Sequence, residues 1–258
     1  MPTPVEILMD PVSLAVLAMY GGLMLWEALA PGRPLPSVQG WGVRTVVSFV
    51  LYFYLSSYLP LIWDGYLARF QLFDLNGLGT FGSAAVGLLV YEFGAYWWHR
   101  AMHRFTPLWL GVHQMHHSSE RLDVPSAFYF SPVDMVGWTL LGSLSLVLVV
   151  GVTPQAATLL LLVIAFLGMF QHANIRTPRW LGYFVQRPES HTVHHALHAD
   201  NYADLPVLDS LFGTFRNPPR FEHATGFYPG ASARILEMLL FRDVSRPREA
   251  RRDLVRAS

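Results

Sequence analysis

The chain contains neither cysteine nor lysine. Without cysteine there is no disulfide framework, no thiolate zinc site, no cysteine-ligated iron–sulfur cluster and no cysteine nucleophile. Charge of either sign is scarce. Only 14% of the 258 residues are charged, against about a quarter in soluble domains. The 18 arginines are balanced by 18 acidic residues, so there is no cationic surplus to hold a nucleic acid. What takes the place of charge is apolar: 52% of residues are hydrophobic and mean hydropathy is +0.32. That balance excludes a disordered or fibrous chain and points into a lipid bilayer.

A helix needs about 20 mostly apolar residues to cross the hydrocarbon, because lipid offers the backbone no hydrogen-bond partner. Five stretches approach this: Pro11 to Leu29, Val43 to Trp63, Gly82 to Trp98, Val133 to Val152 and Gln155 to Phe170. Only Thr153 and Pro154 separate the last two, which therefore read as a tight hairpin turning at the far membrane surface. The third is short, interrupted by Glu92, and ends on Trp97 and Trp98, where an interfacial aromatic belt would lie. The linker from Asp64 to Phe81 is expected partly in the interface. The predicted fold is an all-α integral membrane protein of four or five spans with a histidine-rich cap.

Twelve arginines follow His172, and Arg100, Arg104 and Arg121 lie between spans three and four. Two spans separate these segments, so they share one side, and the positive-inside rule makes that side cytoplasmic. The N-terminus carries Glu6 and Asp10 with no basic residue before the first span, as expected of an outer terminus without a signal-peptide n-region. We divide the chain into residues 1–81 (N-terminal spans and linker), 82–216 (a catalytic domain) and 217–258 (an Arg-rich cytosolic tail).

Ten of the eleven histidines fall between His99 and His198. His99 and His103 follow span three; His113, His116 and His117 form a second box; His191, His194 and His195 form a third; His172 stands at the end of span five. Spacings of three and four share a helix face, so each box is expected to converge on a metal. A disordered histidine tract would be contiguous, and a pH switch needs few histidines. All-imidazole ligation suits iron, copper, zinc or nickel but not calcium or magnesium. Eight imidazoles, with His172 a ninth, suffice for two ions, which serve either hydrolysis or oxygen activation. Glu92, seven residues before His99, shares its helix face and is expected to accept a hydrogen bond from a ligand histidine. His198 and His223 are expected outside the ligand set.

The ordered set His99-Arg-Ala-Met-His103, His113-Gln-Met-His116-His117-Ser118, Phe170-Gln-His172-Ala-Asn174, His191-Thr-Val-His194-His195 and Asn201-Tyr202 followed by Asp209-Ser-Leu-Phe-Gly213-Thr214 resembles the fatty acid hydroxylase and sterol desaturase superfamily of membrane di-iron enzymes. The resemblance covers about Tyr91 to Phe215. It implies two iron ions held on the cytosolic face by His99, His103, His113, His116, His117, His191, His194 and His195, with His172 added, and dioxygen as cosubstrate. Asn174, Asn201 and Asp209 are then expected just outside the ligands. The implied reaction hydroxylates, desaturates or cleaves a lipid drawn from the bilayer past Phe128, Tyr129, Phe130 and Trp138. Electrons would come from a separate reductase, ferredoxin or cytochrome b5-like carrier, docked by arginines such as Arg216, Arg220 and Arg242, since no flavin, haem or cluster module is recognisable.

Two positions depart from the superfamily pattern. Ser131 stands where many sterol-oxidising members have histidine, and Ala203 stands where a glycine is usual after Asn-Tyr. A membrane zinc hydrolase and a metal transporter are the rival classes. The first lacks an HExxH or GxSxG motif, and the second would line its spans with ionisable groups that are nearly absent here. The arginine-only basic set suggests a GC-rich bacterial source and hence an inner membrane.

Overall fold

A computed structural model describes residues 1–247. Arg248, Arg251, Arg252 and Arg256 of the expected Arg-rich tail lie outside the described residues.

Helix starts are written into the sequence as a capping residue followed by proline. Asp10, Ser131 and Thr153 each accept a hydrogen bond from a first-turn amide, and Pro11, Pro132 and Pro154 take the first helical position, where a missing N–H costs nothing. Five helical segments are long and apolar enough to cross a membrane: Pro11–Leu29, Trp41–Phe70, Asn76–Arg104, Pro132–Val149 and Pro154–His172. The protein is thus an all-α integral membrane protein with five candidate spans among the described residues. The fourth continues from α-helix into a π-helical stretch, Leu144–Val149.

The third span departs most from expectation. Its helix runs Gly79–Arg104, 26 residues, or roughly 39 Å at 1.5 Å per residue, against about 30 Å of hydrocarbon. The sequence signal stops at Trp98 because apolar character stops there, but the helix does not. Its last turns leave the apolar layer and carry His99 and His103 into the cap. At the opposite end, Phe73–Asp74 of the linker pairs in parallel with Val150–Gly151 of the hairpin between spans four and five. Both turns therefore lie on one surface.

Spans pack through small residues. A Cβ on Gly87 would fall 2.8 Å from Leu160 of the fifth span, and one on Gly137 would fall 2.9 Å from the Trp98 ring, so these glycines set helix approach rather than backbone freedom. Outward faces are apolar, as at Val43, Val46, Val47 and Val50, while the cap interior is polar. This inverts the soluble pattern, as lipid solvent requires.

The cap comprises the segment between spans three and four, the helix Pro188–Leu197, and the residues beyond it. Described residues of the 217–247 segment are packed into it. The Gln114 amide donates to the Arg242 carbonyl (3.0 Å) and accepts from the Val244 amide (3.2 Å), and the Tyr129 hydroxyl donates to the Ser232 carbonyl. Met238 and Val244 join Trp41, Met115 and Tyr129 in one buried cluster.

Candidate metal centre

Four elements deliver the nine imidazoles. The third span ends in His99 and His103; a π-helical turn Trp109–His113 leads into the short helix Gln114–His117; the fifth span ends at His172; and the helix Pro188–Leu197 carries His191, His194 and His195. π-helical turns recur at functional sites because the extra residue re-aims side chains.

The imidazoles form two groups, each with its nitrogens within 4.8 Å of one another: His99, His103, His113, His117 and His194 in one, His116, His172, His191 and His195 in the other. The expectation that each box converges on one metal holds for His99 and His103 and is corrected for the two triple boxes. Residues four apart, such as His99 and His103, His113 and His117, or His191 and His195, stay in one group, whereas the i+3 residue of each triple box crosses to the other. An offset of three advances the helix 300° and an offset of four 400°, so the two residues straddle the first on opposite sides. Two groups lie on either side of the box helices; each triple box feeds both, while the His99 and His103 box feeds one.

Ring orientation fixes which nitrogen is free. The Tyr202, Asp200 and Gly168 carbonyls accept from Nδ1 of His99 (2.8 Å), His194 (2.7 Å) and His172 (2.7 Å), and the Asp134 carboxylate accepts from His113 Nδ1 at 2.8 Å. Because a carbonyl cannot donate, Nδ1 carries the proton in these neutral rings and Nε2 presents a bare lone pair. Nε2 atoms then face each other: His99 and His113 at 3.0 Å, His117 and His194 at 3.1 Å, His172 with both His116 and His191 at 3.0 Å, and His191 and His195 at 3.2 Å. Two lone pairs at 3.0 Å repel unless a cation sits between them. Burial first, and then the neighbouring imidazoles, hold His113, His116, His117, His191, His194 and His195 well below the usual histidine pKa. The rings are thus neutral, the form that binds metal.

The other expected residues are placed as follows. Glu92 does not reach an imidazole. Its Oε2 accepts from the Leu205 amide at 3.0 Å, because seven residues restore the helix face but separate Glu92 from His99 by roughly 10 Å along the axis. Asn174 bonds the Arg33 backbone through both ends of its amide, at 3.1 and 2.8 Å. Asn201 ties Ser190 to Arg216. Asp209 accepts from the Tyr202 and Ala203 amides (2.8 and 3.0 Å) and from the Thr214 hydroxyl (2.7 Å). It therefore fixes the peptide whose carbonyl orients His99. Ser131 is the N-cap of the fourth span and also donates to the Val112 carbonyl at 2.9 Å. His223 belongs to neither group; its backbone carbonyl accepts from Arg33.

Sequence reasoning missed Asp134 and Gln186 as partners of the ligand candidates, while His198 lies outside the ligand groups as expected. Asp134 was visible: it is an acid in the first turn of an apolar span, the same signal that singled out Glu92. His198 Nδ1 lies 3.1 Å from His117 Nδ1, and the Gln186 amide lies 3.1 Å from His191 Nδ1. His198, Asp200 and Asn201 all have positive φ, a strained stretch bent around the rings, as strain often is at functional sites. On the membrane side Phe130 packs on His116 with centroids 4.5 Å apart, and Trp138 packs edge-on to His99 at 5.8 Å.

Five membrane-length helices under a cap built around two histidine groups that could each hold a metal ion define a class of membrane protein. The fatty acid hydroxylase family profile matches residues 84–214, a stretch that spans all nine imidazoles and half of the chain, and the chain belongs to that family. It is 36% identical over 142 residues to an ornithine lipid hydroxylase of Rhizobium tropici, 30% over 161 residues to a Delta(7)-sterol-C5(6)-desaturase of Nicotiana tabacum, and 31% over 170 residues to an alkylglycerol monooxygenase of Homo sapiens. These alignments take in 52%, 60% and 62% of this chain but only 42%, 57% and 35% of those relatives. No solved structure matches.

Proposed function

We propose that the protein is a membrane-bound non-haem di-iron oxidoreductase that uses dioxygen to hydroxylate or desaturate a lipid. The observation that carries this reading is the set of facing Nε2 atoms 3.0 to 3.2 Å apart. Facing lone pairs at this distance call for a cation between them, and an all-imidazole donor set suits iron, whereas four ligands would satisfy a structural zinc. Placing nine imidazoles in the cap, rather than along a path through the spans, disfavours a transporter.

His99, His103, His113, His117 and His194 would hold one ion and His116, His172, His191 and His195 the other. Bound iron would supply the redox chemistry that activates dioxygen and breaks an unactivated C–H bond. The chain's own residues orient and exclude. Asp134 and the Tyr202, Asp200 and Gly168 carbonyls fix the ring tautomers, while Phe130 and Trp138 wall the membrane side, where a lipid enters, with apolar surface. The relatives, an ornithine lipid hydroxylase, a sterol desaturase and an alkylglycerol monooxygenase, support a lipid substrate. Arginine placement supports a cap facing the cytoplasm of a bacterial inner membrane, within reach of a separate electron carrier that docks on Arg216, Arg220 or Arg242.

The test is metal analysis and turnover of the purified chain in detergent. Two irons per chain, with product formation that needs both dioxygen and an added reductase or ferredoxin, is the expected result. Zinc as the metal bound in air, or sustained product formation without oxygen or donor, overturns it in favour of hydrolysis.

A further inference from the structure

A cleft of about 1010 Å³ lies outside the two imidazole groups, between the loop joining the first two spans and the 221–230 segment. Its place is set by two arginines in its walls. Arg33 follows the end of the first span helix at Leu29 by four residues, and Arg44 is the fourth residue of the second span helix. The cleft therefore opens at the cap-side membrane boundary, the level at which lipid headgroups lie.

Its walls carry both signs, with Glu120 and Glu222 opposing the two arginines. Much of their bonding capacity is used in holding the cleft open. Arg33 donates to the His223 carbonyl and stacks on Phe221; Arg44 donates to the Gln39 carbonyl (3.0 Å) and the Ser232 hydroxyl (3.2 Å); Glu120 Oε1 accepts from the Gly230 (2.8 Å) and Ser232 (3.2 Å) amides. The remainder is unspent: Arg33 Nε, Arg44 Nε, Glu120 Oε2 and Thr225 Oγ1 are buried without a partner. Glu120 and Thr225 are each only 8% exposed. A buried carboxylate oxygen left without a protein partner is costly, and native structures complete such atoms with a ligand, an ion or ordered water. An anchoring role would account for arginines snorkelling to water, but not for Glu120. The cleft also adjoins the metal centre. Phe227 in its wall packs on His198 with centroids 5.3 Å apart, and His198 is the partner of His117.

We propose that this cleft holds the headgroup of the substrate lipid and that the headgroup is zwitterionic, its anionic group set against Arg33 and Arg44 and its ammonium against Glu120. The proposal rests on the lipid-oxidising reading for the word substrate, and on the cleft alone for the headgroup.

Lipid retention by the full chain, purified in a non-ionic detergent and read by native mass spectrometry, tests it without turnover. Phosphatidylethanolamine, phosphatidylglycerol and diacylglycerol with identical acyl chains supply zwitterionic, anionic and neutral heads, and glycerophosphoethanolamine supplies the head alone. Phosphatidylethanolamine is expected to bind about tenfold or more tighter than the other two lipids, the scale of one charge-assisted hydrogen bond. Glu120→Gln should reduce it to the phosphatidylglycerol level and leave phosphatidylglycerol unchanged. Arg33→Gln and Arg44→Gln, at half-buried positions where the fold is safer, should weaken both charged lipids and spare diacylglycerol. Bound metal serves as the control for folding in every variant. Equal retention of the three lipids, indifference to the arginine variants, or binding of glycerophosphoethanolamine as tight as that of the lipid overturns the proposal. Loss of headgroup selectivity with oxygen-dependent product intact removes the headgroup assignment alone. Selective retention with no oxygenated product removes the enzyme reading alone.

Discussion

Asp134 Oδ2 lies 2.8 Å from His113 Nδ1, and both side chains are buried. The carboxylate comes from the first turn of the fourth span and the ring from the cap, so a membrane helix fixes the tautomer of a cap histidine. Asp134→Leu should weaken metal binding 10–100-fold, the usual loss for a partner of a ligand histidine, while Asp134→Asn, whose amide oxygen still accepts, should lose less. A chelator-competition titration of bound metal measures both. Equal loss from the two variants would mean that Asp134 serves only helix packing.

The two groups hold unequal numbers of imidazoles, five and four. His116→Ala should empty one site while the other stays loaded, and His103→Ala, in the larger group, should cost less metal. His194→Ala should abolish activity without preventing membrane insertion, and His223→Ala should be nearly silent. Metal content per chain separates these outcomes; parallel losses in all four would undo the assignment to two groups.

Asp209 satisfies two backbone amides and a hydroxyl around the turn that presents the Tyr202 carbonyl to His99. Asp209→Ala leaves these donors unpaired and should destabilise the protein by roughly 3 kcal/mol. It should also lower metal occupancy although Asp209 touches no imidazole. Thermal unfolding with and without added metal reads the two effects separately.

Acid should unfold the metal-free protein. The folded state holds six cap histidines below their unfolded value, so as pH falls through about 6.5 the unfolded chain takes up protons that the folded one refuses, and stability drops. Above that pH the unfolded rings are neutral too and the dependence vanishes. A midpoint of unfolding that is flat from pH 8 to pH 5 in the metal-free protein would contradict this.

Reporters inserted after Ser37 and after Asp74 should lie on opposite sides of the membrane, the first cytoplasmic. Finding both on one side would remove the second span.

The spans and all nine clustered histidines were legible because hydropathy and the 3.6-residue period act over many residues at once. What was hidden acts through single groups that composition does not mark. The carbonyls of Tyr202, Asp200 and Gly168 orient three rings, and every residue has a carbonyl. The crossing of His116 and His194 between groups depends on where neighbouring elements lie, which one helix cannot reveal. Glu92 shares a face with His99, yet axial distance rather than face decided its partner. Ala203, in a glycine's usual place, needs no explanation in strain, since the positive φ angles fall instead at His198, Asp200 and Asn201.

The third span helix of 26 residues is tied at its far end, through the Phe73–Asp74 pairing, to the hairpin beyond span four, and at its near end carries His99 and His103. A rod pinned at one surface and overshooting the other acts as a depth gauge: it sets the height of the reactive centre relative to the lipid, whatever the substrate. On the proposed lipid-oxidising function, such a gauge has the position attacked counted from the membrane surface rather than recognised along a featureless chain. Lengthening the rod by one turn should therefore move the site of reaction by a few carbons, while lengthening the lipid tail should not.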